Sequence, residues 1–479
     1  MKQLFVTIIT AIATMGFANA QEVKINVDAN ARCQQIEGWG TSLCWWAHMC
    51  GQWENEAAID QLVDMIIGYD DLNMNIFRYN IGGGDDPSHI DGHMTKGKGK
   101  RAEMPGFKDG PDKPYNWNAD AGQRKIMLKI KQRRPDAVFE AFSNSAPYWM
   151  TISGCSGGNG DGSIDNLRPE YYDAFCEYLL DVCRFYRDQY GITFKTLEPF
   201  NESTSSYWNY LGSQEGCHFD VESQIAVLRK LYPMLQKSGL STVLSASDET
   251  SLTATIKVLE SYMATPDVIK MLGQFNTHTY SGTNAERARL HSMIEGCKLP
   301  FWQSETGPQW DDELKPKGNS SFESNLYLAK KMFADLKIMQ PQAWLDWQMV
   351  EEGNETWCLF RGNFATGEFK RVKNYYVRMN VTRFIRQGYT IINTDSGNTL
   401  AAVSPEGDKV VVVALNLEEN GHKANISLNG FGKPGKKAKV YRTSATEDCA
   451  ELKDAKISSG RIATTLVPMS ITTYVIPIK

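Results

Sequence analysis

The sequence predicts a (β/α)8 TIM barrel, an α/β fold, with an appended all-β sandwich. Three observations lead there. Between Ile36 and about Val350, eight short apolar runs each end in polar, glycine or aromatic residues. Amphipathic stretches such as "ENEAAIDQLVDMIIG" and "VESQIAVLRKLYPMLQKSG" separate them, with apolar residues three and four apart as a one-faced helix requires. After about Met379 the texture changes to β-rich runs broken by Gly, Asn and Asp.

The runs come in order as "IEGWGTSLCWW" (36–46), "MNIFRYNIGGG" (74–84), "AVFEAFSNSAPYWM" (137–150) and "TFKTLEPFNES" (193–203). "STVLSASDET" (241–250), "GQFNTHTYSG" (273–282), "PFWQSETGPQW" (300–310) and "AWLDWQMVEEG" (343–353) complete the set. Strand and helix in alternation imply a parallel sheet, and eight strands favour a closed ring. An open doubly wound sheet competes, but no G-x-G-x-x-G opens a helix. The glycines at 81–84 form only a glycine-rich loop, and "HMTKGKGKR" (93–101) is a solvated one. The strand-like "EVKINVDANARCQQ" (22–35) precedes the barrel and is free to pair with the C-terminal sheet. The domains are then a signal peptide at 1–20, a sandwich strand at 21–37, the barrel at 38–378 and the sandwich proper at 379–479.

Composition narrows the function. A chain of 479 residues with 42% apolar and 22% charged residues has room for a large barrel and an accessory module. A net charge of -5 leaves no basic footprint, which argues against nucleic acid. "MKQLFVTIITAIATMGFANA" has a Lys2 start, an apolar run and an Ala18-Asn19-Ala20 cleavage site. It implies export to the periplasm or beyond a bacterial cell, with no membrane insertion of the mature protein. The 10 Cys are irregularly spaced and lack a C-x-x-C pair; Cys176 and Cys183 read as helix core, leaving one or two disulfides elsewhere. The 7 His are scattered singly, so neither a metal nor another cofactor is expected. Nothing implies more than a monomer.

A barrel of this kind works at the C-terminal ends of its strands. Carboxylates there are Asp85, Asp86, Glu202, Asp248, Glu249, Glu305, Glu351 and Glu352. Glu202 follows Asn201 after run four. Glu305 follows "FWQS" in run seven, near Trp302 and Trp310. Runs four and seven lie across the ring from each other, so the two carboxyls can meet over its mouth. Glycosidic cleavage needs such a pair: one acid to protonate the leaving oxygen, one carboxylate to attack or to activate water. A gap of about 5–5.5 Å gives a covalent intermediate and retention, and roughly 6.5–9.5 Å gives inversion. The 12 Trp include Trp45, Trp46, Trp149 and Trp208 after other runs; they are either core or a sugar-stacking groove.

"GWGTSLCWWA" (38–47), "LEPFNE" (197–202) and "WQSETG" (302–307) together resemble glycoside hydrolase family 30, over nearly the whole mature chain. The first motif is most similar to the endo-β-1,6-galactanase branch, which trims galactan side chains of plant arabinogalactan. The resemblance implies a retaining, double-displacement glycosidase with Glu202 as acid/base and Glu305 as nucleophile. It implies that Asn201 binds the sugar 2-hydroxyl, Arg78 pairs with Glu305, Tyr280 donates to Glu305 and Trp347 is the platform under the cleaved sugar. His278, Trp46 and Trp208 are further candidates for the substrate site, and Asp85 and Asp86 for sugar hydroxyls. The charge on Glu305 should raise the proton affinity of Glu202 while Arg78 lowers that of Glu305. Related enzymes act on β-1,6-glucan, glucuronoxylan, glucosylceramide or β-fucosides. A non-catalytic glycan-binding protein would keep the tryptophans but lack one carboxylate.

Overall fold

Each of the eight apolar runs contributes one barrel strand. The structure, a computed structural model, describes residues 22–86, 102–210, 212–308, 316, 318 and 320–479. The export-signal stretch, the 93–101 loop and Trp310 lie outside the described residues. After β1 (Val23–Gln35) come the barrel strands: β2 (Gly38–Ser42), β3 (Ile76–Asn80), β4 (Val138–Phe142), β5 (Thr196–Glu198), β6 (Val243–Ser247), β7 (Leu272–His278), β8 (Phe301–Glu305) and β9 (Ala343–Asp346). They pair in parallel in chain order, and Gly38 of β2 faces Ala343 of β9 to close the ring. Closure needs a residue without a side chain at Gly40, where a Cβ would stand 2.1 Å from the Ile76 carbonyl oxygen.

The helices outside the ring bury one stripe each. Helix Tyr172–Tyr190 turns Phe175, Leu179, Val182 and Tyr186 inward, at spacings of four and three. It ends at Gly191, whose φ of +60° is left-handed.

The barrel interior is polar where the site rests on it. Arg78, Glu140 and Thr196 lie side by side on β3, β4 and β5. Glu140 accepts from Arg78 Nε at 3.0 Å, from Thr196 Oγ1 at 2.6 Å and from Asn276 Nδ2 of β7 at 2.9 Å. Buried charge of this kind survives only when paired.

Beyond β9, a small sheet of β10 (Val350–Glu351), β11 (Phe360–Gly362) and β12 (Phe369–Arg371) borders the barrel mouth. The C-terminal strands are β13 (Thr390–Thr394), β14 (Thr399–Val403), β15 (Lys409–Asn416), β16 (His422–Asn429), β17 (Lys437–Thr443), β18 (Ala450–Lys456), β19 (Arg461–Leu466) and β20 (Ser470–Pro477). They join β1 in one nine-stranded sheet, ordered β18-β17-β20-β15-β14-β13-β1-β16-β19. β1 runs antiparallel to β13 and parallel to β16. The sheet curls over a shared core that includes Ile25, Val27, Ile392, Val412, Ile426 and Tyr474, so one continuous sheet supplies both layers of the sandwich.

β15 explains its own unbroken "VVVVAL". Val410, Val412 and Ala414 face the sheet's core, whereas Val411, Val413 and Leu415 join the barrel's apolar cluster. A strand covered on both faces has no need of alternation. Helix Lys373–Thr382 completes the joint: Asn380 accepts from Thr473 Oγ1 at 2.6 Å and donates to Thr443 Oγ1 at 2.6 Å.

All ten cysteines are free thiols, so the one or two expected disulfides are not present; Cys176 and Cys183 are buried on their helix. Among the described residues, no helix is long and apolar enough to cross a membrane.

Candidate active site

The chain turns sharply just past β5. Glu202 adopts a left-handed φ of +53° and its N–H donates to the Asp248 carbonyl at 2.7 Å. A non-glycine residue held there costs about 1–3 kcal/mol and persists only where its surroundings fix it. The turn aims the Glu202 carboxyl over the barrel mouth. Glu305, the last residue of β8, meets it from across the ring. One oxygen of each carboxyl and a ring nitrogen of His278 all lie within 4.8 Å of one another.

The two acids have different company. Glu305 Oε2 accepts from Arg78 at 2.7 Å, and its Oε1 accepts from the Tyr280 hydroxyl at 2.9 Å. Arg78 is fully buried and also grips Asp248 at 2.5 Å and Glu140, with its guanidinium 4.0 Å from the Phe142 ring centroid. Burial alone would lower its proton affinity; the charges of Asp248, Glu305 and Glu140 raise it overall. Among the described residues, no arginine hydrogen-bonds Glu202. Its Oε2 accepts from Tyr207 at 2.5 Å, and its Oε1 lies 3.0 Å from His278 Nδ1.

Burial pushes Glu202 up to about 7, against hydrogen bonds from Tyr207 and Thr250 and the charge of Arg78. The cause differs from the sequence expectation, which invoked the charge of Glu305. Burial also pushes Glu305 up, against His278 and Arg78, so its environment does not hold it below the ordinary range as expected. The two carboxyls differ in their partners: among the described residues, the guanidinium in hydrogen-bond contact with the pair lies on Glu305.

A cavity of about 450 Å³ opens above the pair. Trp45, Asn144, Asn201, Tyr207, Trp208, Gln214, Glu215, Thr250, Tyr280, Trp347 and Trp357 line it, with Gln348, Glu351, Glu352 and Asn354 at the side of β10. Asn201 Oδ1 is buried without a partner here. Trp347 meets Trp45 edge-on at 5.1 Å, making an aromatic corner. Trp208 backs the acid by donating its indole N–H to the Glu202 carbonyl at 2.9 Å.

Several candidates sit elsewhere. Trp46 is corrected to core: it starts a short helix, is fully buried and donates to the Ser42 carbonyl at 2.8 Å, while its neighbour Trp45 faces the cavity. Arg78 and His278 lie beneath the carboxyls and outside the cavity lining, so they hold glutamates rather than touch the contents of the cavity. Trp149 donates to the Lys108 carbonyl, and half-buried Asp85 and Asp86 also lie outside the lining. Asp248 was noted only as one of the strand-end carboxylates, and Glu140, Tyr207 and Glu215 were not assigned to the site from the sequence. Tyr207 lies five positions from the glutamate it bonds, whereas Glu140 and Glu215 are marked only by partners from distant strands and loops.

Glu202, His278 and Glu305 are close enough to hold a cation. Arg78 already brings a fixed positive charge to Glu305, and Tyr280 occupies its other oxygen, so the donor set is poorly suited to one. Asp165, His218 and Asp220 form a second cluster, in which Asp165 accepts from the Asp220 N–H and the Ser223 hydroxyl and so anchors the next helix.

The model of O-glycosyl hydrolase family 30 matches residues 22–256. An endo-β-1,6-galactanase of Hypocrea rufa is 31% identical over 425 residues, covering 85% of this chain and 84% of that protein. The chain belongs to glycoside hydrolase family 30. An exo-β-1,6-galactobiohydrolase of Bifidobacterium longum subsp. longum is 26% identical and covers 89% of this chain, which spans 36% of that longer protein. The catalytic domain of a family 30 xylanase C from Talaromyces cellulolyticus shares the fold at a TM-score of 0.72 and 19% identity, covering 95% of this chain and 99% of that one. As a family 30 member the protein is a glycoside hydrolase, and its substrate is a carbohydrate.

Proposed function

We propose that this enzyme cleaves β-1,6-galactosidic linkages in the galactan side chains of arabinogalactan, with retention of configuration. The proximity of the Glu202 and Glu305 oxygens, within 4.8 Å, carries the mechanistic half. That separation lies near the roughly 5–5.5 Å that suits direct attack and below the roughly 6.5–9.5 Å of inverting enzymes. Glu305 attacks the anomeric carbon while Glu202 protonates the leaving oxygen; the deprotonated Glu202 then activates water to release the sugar. Asn201 Oδ1 accepts from the 2-hydroxyl of the bound sugar, and Trp347 supplies its apolar platform.

The substrate half draws on two relatives whose names specify β-1,6-galactan chemistry. The cavity also favours a neutral glycan. Its described lining holds five glutamates, Glu202, Glu215, Glu305, Glu351 and Glu352, and neither lysine nor arginine. A uronate would be repelled there, which weighs against glucuronoxylan. The N-terminal apolar segment with its Ala18-Asn19-Ala20 site supports export to where such polymers are met.

The test is a digestion panel of arabinose-stripped β-1,6-galactan, β-1,6-glucan and glucuronoxylan, with product sizes read by chromatography and the first-formed anomer by NMR. Galactan cleavage releasing the β-anomer is expected. Release of the α-anomer would discard retention, and preference for either other polymer would discard the substrate.

A further inference from the structure

One buried acid in the cavity wall has no part in double displacement. Glu215 lies on the loop that follows Glu202 and is 1% exposed, yet it lines the same cavity. It is held from three sides. The Gly83 N–H donates to its Oε1, Asn80 Nδ2 donates to its Oε2 at 2.9 Å, and Asn144 adds a side-chain hydrogen bond. Gly83 must lack a side chain for this approach, because a Cβ would stand 3.0 Å from Glu215 Oε1 and 2.7 Å from the Ala146 carbonyl oxygen. A carboxyl that only anchored the Gly83 loop would have no reason to face the cavity.

The topology says which part of a sugar it meets. Asn80 ends β3 and Asn144 lies just beyond β4, the second and third strands of the ring. Glu305 ends β8, the seventh. The third and seventh strands stand opposite each other across eight. The anomeric carbon must sit at Glu305, and C4 is the pyranose atom farthest from it. A ring lying over the mouth therefore directs C4 toward the Glu215–Asn144 wall. A carboxyl has about four lone-pair sites, and these three donors leave one for a hydroxyl.

We propose that Glu215, oriented by Asn144, reads the 4-hydroxyl of the sugar whose bond is cleaved, and so selects galactose over its 4-epimer. This assignment rests on the galactan reading above. Burial pushes Glu215 up to about 8, and a buried carboxyl in its neutral form can meet a sugar hydroxyl as donor or acceptor.

The experiment measures kcat/KM of wild type and Glu215→Gln on 4-nitrophenyl β-galactoside, its 4-deoxy and 6-deoxy analogues, and the β-glucoside. The wild type should lose about 10- to 100-fold on the 4-deoxy substrate, as expected when a buried polar group is left without its partner. In Glu215→Gln this 4-deoxy penalty should shrink toward unity, with the 6-deoxy penalty unchanged. Asn144→Ala, which spares the Gly83 contact, should shrink the same penalty and guards against a Gln variant that fails to fold. An equal 4-deoxy penalty in wild type and variants, or one that shifts to the 6-deoxy substrate, overturns the proposal while galactosidase activity stands. A wild type that cleaves the β-glucoside but no β-galactoside overturns the galactan reading itself, and the galactose assignment with it.

Discussion

Glu202 and Glu305 are chemically identical side chains whose roles are set by what touches them. Glu202→Gln is expected to lower kcat on polysaccharide by roughly 10²–10⁴-fold, while the first step on aryl glycosides with good leaving groups is spared; burst kinetics would show this. Glu305→Gln should abolish turnover on both substrates. On the proposed mechanism the acid limb comes from ionised Glu305 and the basic limb from protonated Glu202, so kcat/KM should fall as pH rises through about 7. Tyr207 donates to Glu202 and stabilises its charged form, so Tyr207→Phe should move that basic limb to higher pH. A limb that stays put or moves down in the pH profile would contradict the arrangement. The two glutamates were legible in the sequence because each sits beside its motif at a strand end. Trp45 and Trp46 were not separable, since which ring faces the cavity depends on where a short helix begins. Glu215 was invisible because it is marked only by donors far away in the chain.

At the level of elements, the barrel strands announced themselves by apolar runs ending in polar residues, and their order around the ring followed from alternation with helices. The close packing did not. Gly40 looks like an ordinary glycine in "GWGTS", but β3 leaves no space for a methyl group there. Gly40→Ala is expected to destabilise the enzyme by about 3 kcal/mol or more, at or beyond the upper end of overpacking costs, read as a fall in urea midpoint or loss of soluble protein. Normal stability would mean that β2 and β3 can part without cost. The C-terminal region was legible as β-rich, whereas its arrangement was not. A single curled sheet with β1 in its interior requires pairings across most of the chain, and strand periodicity carries no information about partners.

The barrel's core reaches into the sandwich. Val411, Val413 and Leu415 belong to the barrel cluster while their neighbours serve the sheet's own core, so the barrel is not closed without β15. Deleting residues 379–479 should therefore give an insoluble barrel, judged by the soluble fraction and circular dichroism. A folded, active truncation would show that the joint is superficial. Buried acids set the pH response of stability. Glu202 and Glu249 are raised to about 7 and Glu215 to about 8, so each holds its proton in the folded state after the unfolded chain has released it near 4.5. Their contribution is fully present below about 4.5 and is lost as pH rises through 7 to 8. Melting temperature should fall across that window, and Glu249→Gln should flatten the slope. The order of synthesis follows from the same architecture. Asn26 bonds Asp395 across 369 positions, so β1 leaves the ribosome long before the strands that flank it. Piece-by-piece maturation of the sandwich is closed to this protein: β1 must wait for β13 and β16 before that sheet can lock, and a nascent chain stalled between them would be left open to proteases and chaperones.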